Sequence, residues 1–243
     1  MRCAVLSVLL LSLVACSPKP NPEPPARNSG SPASNAGAPS NDNTSAGPSK
    51  AARPRIVFLG DSLTAGLGLD TDRSFPSLIQ KKLNEKRIDL EVVNAGVSGD
   101  TSAGGLRRLD WSLDGDVRVL IVALGGNDGL RGLPPTDLKN NLEAILDRAK
   151  AAGIPVILAG MEAPPNNGVD YTHAFRAVYA DLAKEYKVTF IPFLLQGVAG
   201  DASLNQSDGI HPNVRGAEIV ADTVWKAIEP LVSKAQAPSP KPS

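Results

Sequence analysis

Cysteine is almost absent from this 243-residue chain: Cys3 and Cys16 are the only two, and both lie within the first sixteen residues. The rest of the chain therefore holds no disulfide and no thiolate metal site. Histidine is as scarce, with His173 and His211 alone, so a histidine-rich zinc or iron centre is not to be expected. Charge of one sign is missing as well. The 25 Lys and Arg balance the 25 Asp and Glu, and no basic cluster points to nucleic acid. The apolar run at the N-terminus, Ala4 to Val14, stops at roughly 11 residues, short of the ~20 a helix needs to span a bilayer. From residue 17 to 54 there is no large aliphatic or aromatic residue. Such a tract buries too little apolar surface to offset its conformational entropy.

What is present at the N-terminus has the pattern of an export signal: Arg2, then the apolar run broken only by Ser7 and Ser12, then Leu13-Val14-Ala15-Cys16. That ending resembles the lipobox of bacterial lipoproteins, in which cleavage precedes the cysteine and its thiol carries lipid. The resemblance implies that residues 1–16 are a lipoprotein-type signal with Cys16 as the lipidated residue, and that the membrane partner is reached through that anchor alone. Ser17 in the next position implies a periplasm-facing outer-membrane lipoprotein of the cell envelope; without lipid, the protein would simply be secreted. Residues 17–54 then read as a disordered tether with a mean reach of roughly 35 Å. Residues 55–233 read as one folded domain and 234–243 as a disordered tail.

Hydrophobic content of 42% is ample for a core. Within the domain, short apolar runs alternate with helical periodicity. RIVFL (55–59), LEVV (90–93), RVLIVAL (118–124), PVILA (155–159) and VTFI (188–191) predict five strands, near-continuous in Val, Ile and Leu as strands covered on both faces should be. Helical spacing predicts helices over 75–86, about 102–109, 137–152 and 172–186. A last helix follows His211, with Ala217, Val220, Ala221, Val224 and Ile228 on one face. This order predicts a parallel five-stranded sheet in a three-layer α/β/α sandwich, with ligands at the carboxyl ends of the strands.

The loops expected at that rim are GDSLTAGLG (60–68), NAGVSGD (94–100), GGNDGLRG (125–132) and GMEAPPNNG (160–168). Ser62 follows strand one directly. A serine hydroxyl is a poor nucleophile until a base removes its proton. His211, in SDGIHPN (207–213), is the only histidine also expected on the rim, and Asp208 three residues earlier can fix its tautomer. Asn127 offers a side-chain amide and Gly99 an unobstructed backbone N–H. With the Ser62 N–H these make three candidate donors to a developing oxyanion. Taken one by one, Ser62 could be only a helix cap, His211 a surface residue and Gly99 a turn; the set is what points to acyl transfer.

GDSL (60–63), the Gly99 segment, GGND (125–128) and DGIHP (208–212) resemble, in order and spacing, the four blocks of the SGNH (GDSL) hydrolase family. NAGVSGDTSAGGL, LGGNDGLRG and DGIHPN are similar to its thioesterase I, lysophospholipase L1 and arylesterase subgroup. The resemblance covers about residues 55–233. It implies the flavodoxin-like SGNH fold, Ser62 as nucleophile, His211 as base, Asp208 as its orienting carboxylate, and Ser62, Gly99 and Asn127 as the oxyanion hole. No cofactor or metal is implied, and the partner is a small acyl ester or thioester. Other motifs fail: Leu67 stands where a P-loop needs lysine, GLGLD lacks a third dinucleotide-type glycine, and Ser98 lacks the second glycine of a nucleophile elbow. His173 reads as a surface residue, Trp111 and Trp225 as packing. Leu63, Leu67, Leu69, Leu130, Leu133, Pro164 and Pro165 are candidates for a shallow acyl groove. Two further readings use the same scaffold, a carbohydrate O-deacetylase and a catalytically silent envelope binding protein. The oligomeric state stays open.

Overall fold

A computed structural model describes residues 53–235. The signal with Cys16, the tether as far as residue 52 and the tail from residue 236 lie outside the described residues. Five strands form one parallel sheet: β1 (Arg55–Gly60), β2 (Glu91–Gly96), β3 (Val117–Ala123), β4 (Val156–Ala159) and β5 (Thr189–Ile191), in the order β2-β1-β3-β4-β5. All five apolar runs became strands; the central ones, β1, β3 and β4, are covered on both sides, while the edge strands β2 and β5 stay partly exposed. In β1, Ile56 through Leu59 are at most 1% exposed, and in β3 only Arg118 faces solvent. Each such side chain contributes about 1.5–3 kcal/mol by leaving water.

The helices fall into two contact groups. α2 (Phe75–Glu85) packs on α8 (Val214–Ala235), while α6 (Pro135–Ala151) packs on α3 (Ser102–Arg107) and α7 (Val169–Tyr186). Right-handed crossovers explain the division: the chain moves one way from β1 to β2 and the other way from β2 through β3, β4 and β5, so the connections lie on opposite faces. The result is the three-layer α/β/α sandwich expected from the sequence. Where the direction reverses, between β1 and β3, the loops part and leave a crevice at the carboxyl ends of the strands.

Several elements differ from the expectation. The helix expected over 102–109 breaks at Arg108 into α3 and α4 (Leu109–Ser112). Two single-turn helices, α1 (Ser62–Ala65) and α5 (Gly126–Leu130), follow β1 and β3 directly. Neither is long enough to show a hydrophobic period; each is set by a tight turn after its strand. α7 starts at Val169, and α8 runs to Ala235, two residues past the expected domain end, through Pro230. Arg53 and Pro54, expected to belong to the tether, are held on the domain: Arg53 pairs with Asp89 at 2.9 Å and the Pro54 carbonyl accepts from the Glu91 N–H. Trp225 packs in the core, but Trp111 is 77% exposed and is not a packing residue. Among the described residues no helix is long and apolar enough to cross a membrane.

Candidate active site

Ser62 is the first residue of α1, immediately beyond the end of β1. Asp61 caps this turn, its Oδ1 accepting from the Leu63 N–H at 3.0 Å, and Gly66 closes it in the left-handed region at φ 76°. The strand therefore delivers Ser62 to the crevice with its backbone fixed on both sides. Its Oγ lies 2.8 Å from His211 Nε2, across 149 residues of chain.

The His211 loop is held by local turn chemistry. Asp208 Oδ1 accepts from both the Ile210 and His211 N–H groups at 3.0 Å, an Asx-type turn. The same carboxylate's Oδ2 meets His211 Nδ1 at 2.7 Å. The three-residue spacing is thus what lets one carboxylate hold both the backbone and the ring. The His211 N–H, then its ring, then the Ile210 N–H lower the Asp208 carboxyl to about 2. An ionised carboxylate can only accept, so the Nδ1 proton belongs to the imidazole and Nε2 presents its lone pair to Ser62. Gln206 ties this loop to the nucleophile's side, donating to the Leu67 carbonyl at 2.7 Å and the Pro212 carbonyl at 3.0 Å. Gly68, at φ 79°, leaves the room that Gln206 occupies; a Cβ there would run into its side-chain amide. Neither residue was singled out from the sequence, because the contact spans 139 residues and Gln carries no motif.

Asn127 lies in α5, on the loop after β3. Its Nδ2 donates to the Asp100 carbonyl at 2.9 Å and, more loosely, to Asp61 Oδ2 at 3.4 Å. Gly99, beside Asp100, adopts φ 83° and its carbonyl accepts from Arg131 at 2.8 Å. Asp61 thus holds the Ser62 turn and approaches Asn127. Asp128 acts elsewhere: it accepts from the N–H and hydroxyl of Ser102, tying α5 to the start of α3.

Asp61 is 2% exposed, and burial raises its carboxyl to about 6, against the opposing pull of the Leu63 N–H and His211. A raised native value means the stabilising protonated form is complete below the usual 3.8 and is lost as pH rises through 6. Asp61→Asn keeps an acceptor for the Leu63 N–H and removes the buried charge. Its stability relative to the wild type should therefore increase from pH 4 to pH 7 and then level off, by up to about 3 kcal/mol. Denaturant midpoints measured across that range check this; a gain that shrank with rising pH would contradict a burial-dominated carboxyl.

Ser62, Asn127 and His211 open on a cleft of about 530 Å³. Leu63, Leu130, Pro164 and Pro165 line it. Leu67 and Leu69 do not; they border a separate narrow recess behind Ser62 and His211. Leu133 also stays outside, half-buried, with its carbonyl accepting from Tyr171 at 2.8 Å. Helix α5 ends before Leu133, and the chain there turns away toward α6. Met161, Ala163, Phe193, Leu195, Ala199 and Ile210 complete the apolar wall, and the sequence reading does not single them out. Ile210 was readable, since Asp208 and His211 bracket it on the rim. Phe193, Leu195 and Ala199 lie in the first half of the long connection from β5 to α8, ahead of the Asp208–His211 segment, in a stretch that carries no polar motif. His173 is exposed on α7 and takes no part. Among the described residues, no group of three or more His, Cys, Asp or Glu side chains is gathered so as to hold a metal ion.

A carboxylate, an imidazole and a hydroxyl in one hydrogen-bonded line, beside an amide donor and an apolar cleft, can carry out acyl transfer. Known proteins with related sequences point the same way. Residues 58–219 match the model of the GDSL-like lipase/acylhydrolase family. Esterase TesA of Pseudomonas aeruginosa is 44% identical over 184 residues, covering 75% of this chain and 92% of that protein. The thioesterase 1/protease 1/lysophospholipase L1 of Escherichia coli is 41% identical, covering 75% and 87% respectively. The crystal structure of the psychrotrophic esterase EstA from Pseudoalteromonas sp., inhibited by monoethylphosphonate, is 32% identical with a TM-score of 0.70, over 74% of this chain and 98% of that one. With the strand order, the rim site and these likenesses in agreement, the chain is an enzyme that belongs to the GDSL-like lipase/acylhydrolase family.

Proposed function

We propose that this protein hydrolyses medium-chain carboxylic esters and acyl thioesters through an acyl-enzyme on Ser62. The observation that carries the reading is the unbroken line Asp208–His211–Ser62 at 2.7 and 2.8 Å, at the mouth of an apolar cleft. His211 Nε2 takes the Ser62 proton as Oγ bonds to the acyl carbon. The carbonyl oxygen becomes an oxyanion, received by the N–H groups of Ser62 and Gly99 and the amide of Asn127. The long 3.4 Å contact from Asn127 to Asp61 is the one an oxyanion would displace. Imidazolium then protonates the leaving alkoxide or thiolate as its bond to carbon breaks. Water, deprotonated by the same Nε2, attacks the acyl carbon and releases the acid and free Ser62. The names of the relatives, esterase and thioesterase/lysophospholipase, support the two leaving-group classes.

The cleft predicts the acyl preference. Leu63, Leu130, Met161, Phe193 and Leu195 present apolar surface beside the nucleophile. Each methylene buried there contributes up to ~0.8 kcal/mol, about fourfold in affinity. That gain raises kcat/KM only where the contact persists in the transition state. For 4-nitrophenyl esters from acetyl to dodecanoyl, kcat/KM should rise toward medium chains and level off once the chain outruns the cleft. A sugar O-deacetylase would draw its binding energy from the alcohol side, so a steady fall from acetyl onward would move the assignment there.

We further propose that residues 1–16 are a lipoprotein signal, that Cys16 anchors the enzyme in the envelope, and that the Pro- and Ser-rich segment from residue 17 to 52 is its tether to the folded domain. The support is the apolar run closed by Ala15-Cys16, together with the Pro, Ser, Asn, Ala and Gly composition of residues 17–54. Cys16→Ser should leave the enzyme in the soluble envelope fraction or unprocessed. A mature N-terminus with no lipid mass on Cys16 would refute the anchor.

A further inference from the structure

We propose that Arg108 is a positioning residue that holds the oxyanion-binding segments in register, acting on Asn127 through Asp100. The proposal rests on the assignment of Ser62, Gly99 and Asn127 as the oxyanion hole. Arg108 stands at the break between α3 and α4, and its side chain is only 18% exposed. All three guanidinium nitrogens are engaged, each with a different segment. Nε donates to Asp100 Oδ2 at 2.7 Å, Nη1 to the Ala95 carbonyl at 2.6 Å, and Nη2 to the Gly60 carbonyl at 2.7 Å.

Each acceptor leads to the site. Gly60 ends β1, two residues before Ser62, and its carbonyl also accepts from Val97 at 3.0 Å. Ala95 sits near the end of β2, where the chain leaves the sheet toward Gly99. Asp100 follows Gly99, and its carbonyl is the 2.9 Å acceptor that holds the Asn127 amide. One planar group therefore links the ends of β1 and β2 to the residue on which Asn127 rests. The sequence around it makes room for this: a Cβ on Gly104 would lie 2.5 Å from Asp100 Oδ1. Lysine cannot replace the group, because an ammonium is a point charge without the fixed fork that meets three acceptors in one plane.

An oxyanion hole works by being organised before charge develops. A slip of Asp100 would release the Asn127 amide without altering the acyl cleft, which Arg108 does not line. The effect should therefore fall on kcat. The experiment is a double-mutant cycle with 4-nitrophenyl butyrate, comparing wild type, Arg108→Lys, Asn127→Ala and the double variant, with thermal melts on each. Arg108→Lys should lower kcat by about 10–100-fold with KM within about twofold, and should cost less than about threefold in the Asn127→Ala background. If Arg108→Lys does not fold, Asp100→Asn takes its place, since it keeps the backbone carbonyl and removes the ion pair. Wild-type kcat in a folded Arg108→Lys enzyme would overturn the proposal. So would equal losses in both backgrounds, which would make Arg108 a general support of the domain. Full activity of Asn127→Ala would overturn the oxyanion reading itself, and the proposal with it.

Discussion

Replacing Ser62 by alanine should abolish ester hydrolysis while leaving the fold in place, a loss on the order of 10⁴–10⁶ in kcat. The size of the loss follows from the geometry. Among the described residues the Ser62 hydroxyl is the one nucleophile that meets the His211 ring, at 2.8 Å, and without it no acyl-enzyme can form. The fold should survive because the hydroxyl bonds to nothing else among the described contacts, and α1 is held by Asp61 and Gly66. Alanine also suits a helical position. The measurement is steady-state turnover of a medium-chain 4-nitrophenyl ester, with near-ultraviolet circular dichroism as the control for folding. Near-normal turnover by a folded Ser62→Ala protein would end the assignment of the nucleophile.

Asp208→Asn should lower kcat by about 10⁴, through the tautomer rather than through the fold. The asparagine carbonyl can still accept from the N–H groups of Ile210 and His211, which preserves the turn. Its amide then faces Nδ1, where the carboxylate had accepted. Nδ1 must become the acceptor, the ring proton moves to Nε2, and Nε2 can no longer take the Ser62 proton. A loss below about tenfold in kcat would show that Asp208 does little for the ring. The wild-type carboxyl, lowered to about 2, stays ionised throughout the working range and adds no titration there. Its contribution to folding is present above the usual 3.8 and fades only as pH falls through 2. A protonated imidazole cannot accept the Ser62 proton, so the rate should fall in acid, and Asp61, raised to about 6 beside the Ser62 turn and Asn127, changes charge over the same limb. A profile flat into acid, with chemistry rate-limiting, would remove His211 as the base.

Much of the site was legible because its pieces are local. The spacing of Asp208 and His211 lies within one turn, and the Asx geometry that joins them needs only those residues and Ile210. GDSL directly after an apolar run places a serine at a strand end, and the structure puts Ser62 there. What stayed hidden was of two kinds. The single turns α1 and α5 are too short to show a period. The cleft wall draws on residues without a chemical signature, such as Phe193 and Leu195, whose role depends on where the loop after β5 lies. Leu67 and Leu133 stand close in sequence to site residues, yet one lines a different recess and the other turns toward α6.

The sequence by itself determined the class of fold and the chemical inventory. Strand and helix follow from side-chain periods of two and 3.6, which a chain displays residue by residue. Once the strand order is set, right-handed crossovers decide which face of the sheet each connection covers. Only the tertiary structure decided how the inventory is arranged. The 2.8 Å meeting of Ser62 with His211, the Gln206 strap to Leu67 and the three-way grip of Arg108 join distant segments, as far as 149 residues apart. Such contacts depend on the register of the sheet and the path of its loops. Both are set by the packing of the whole core, and no local stretch of sequence encodes them.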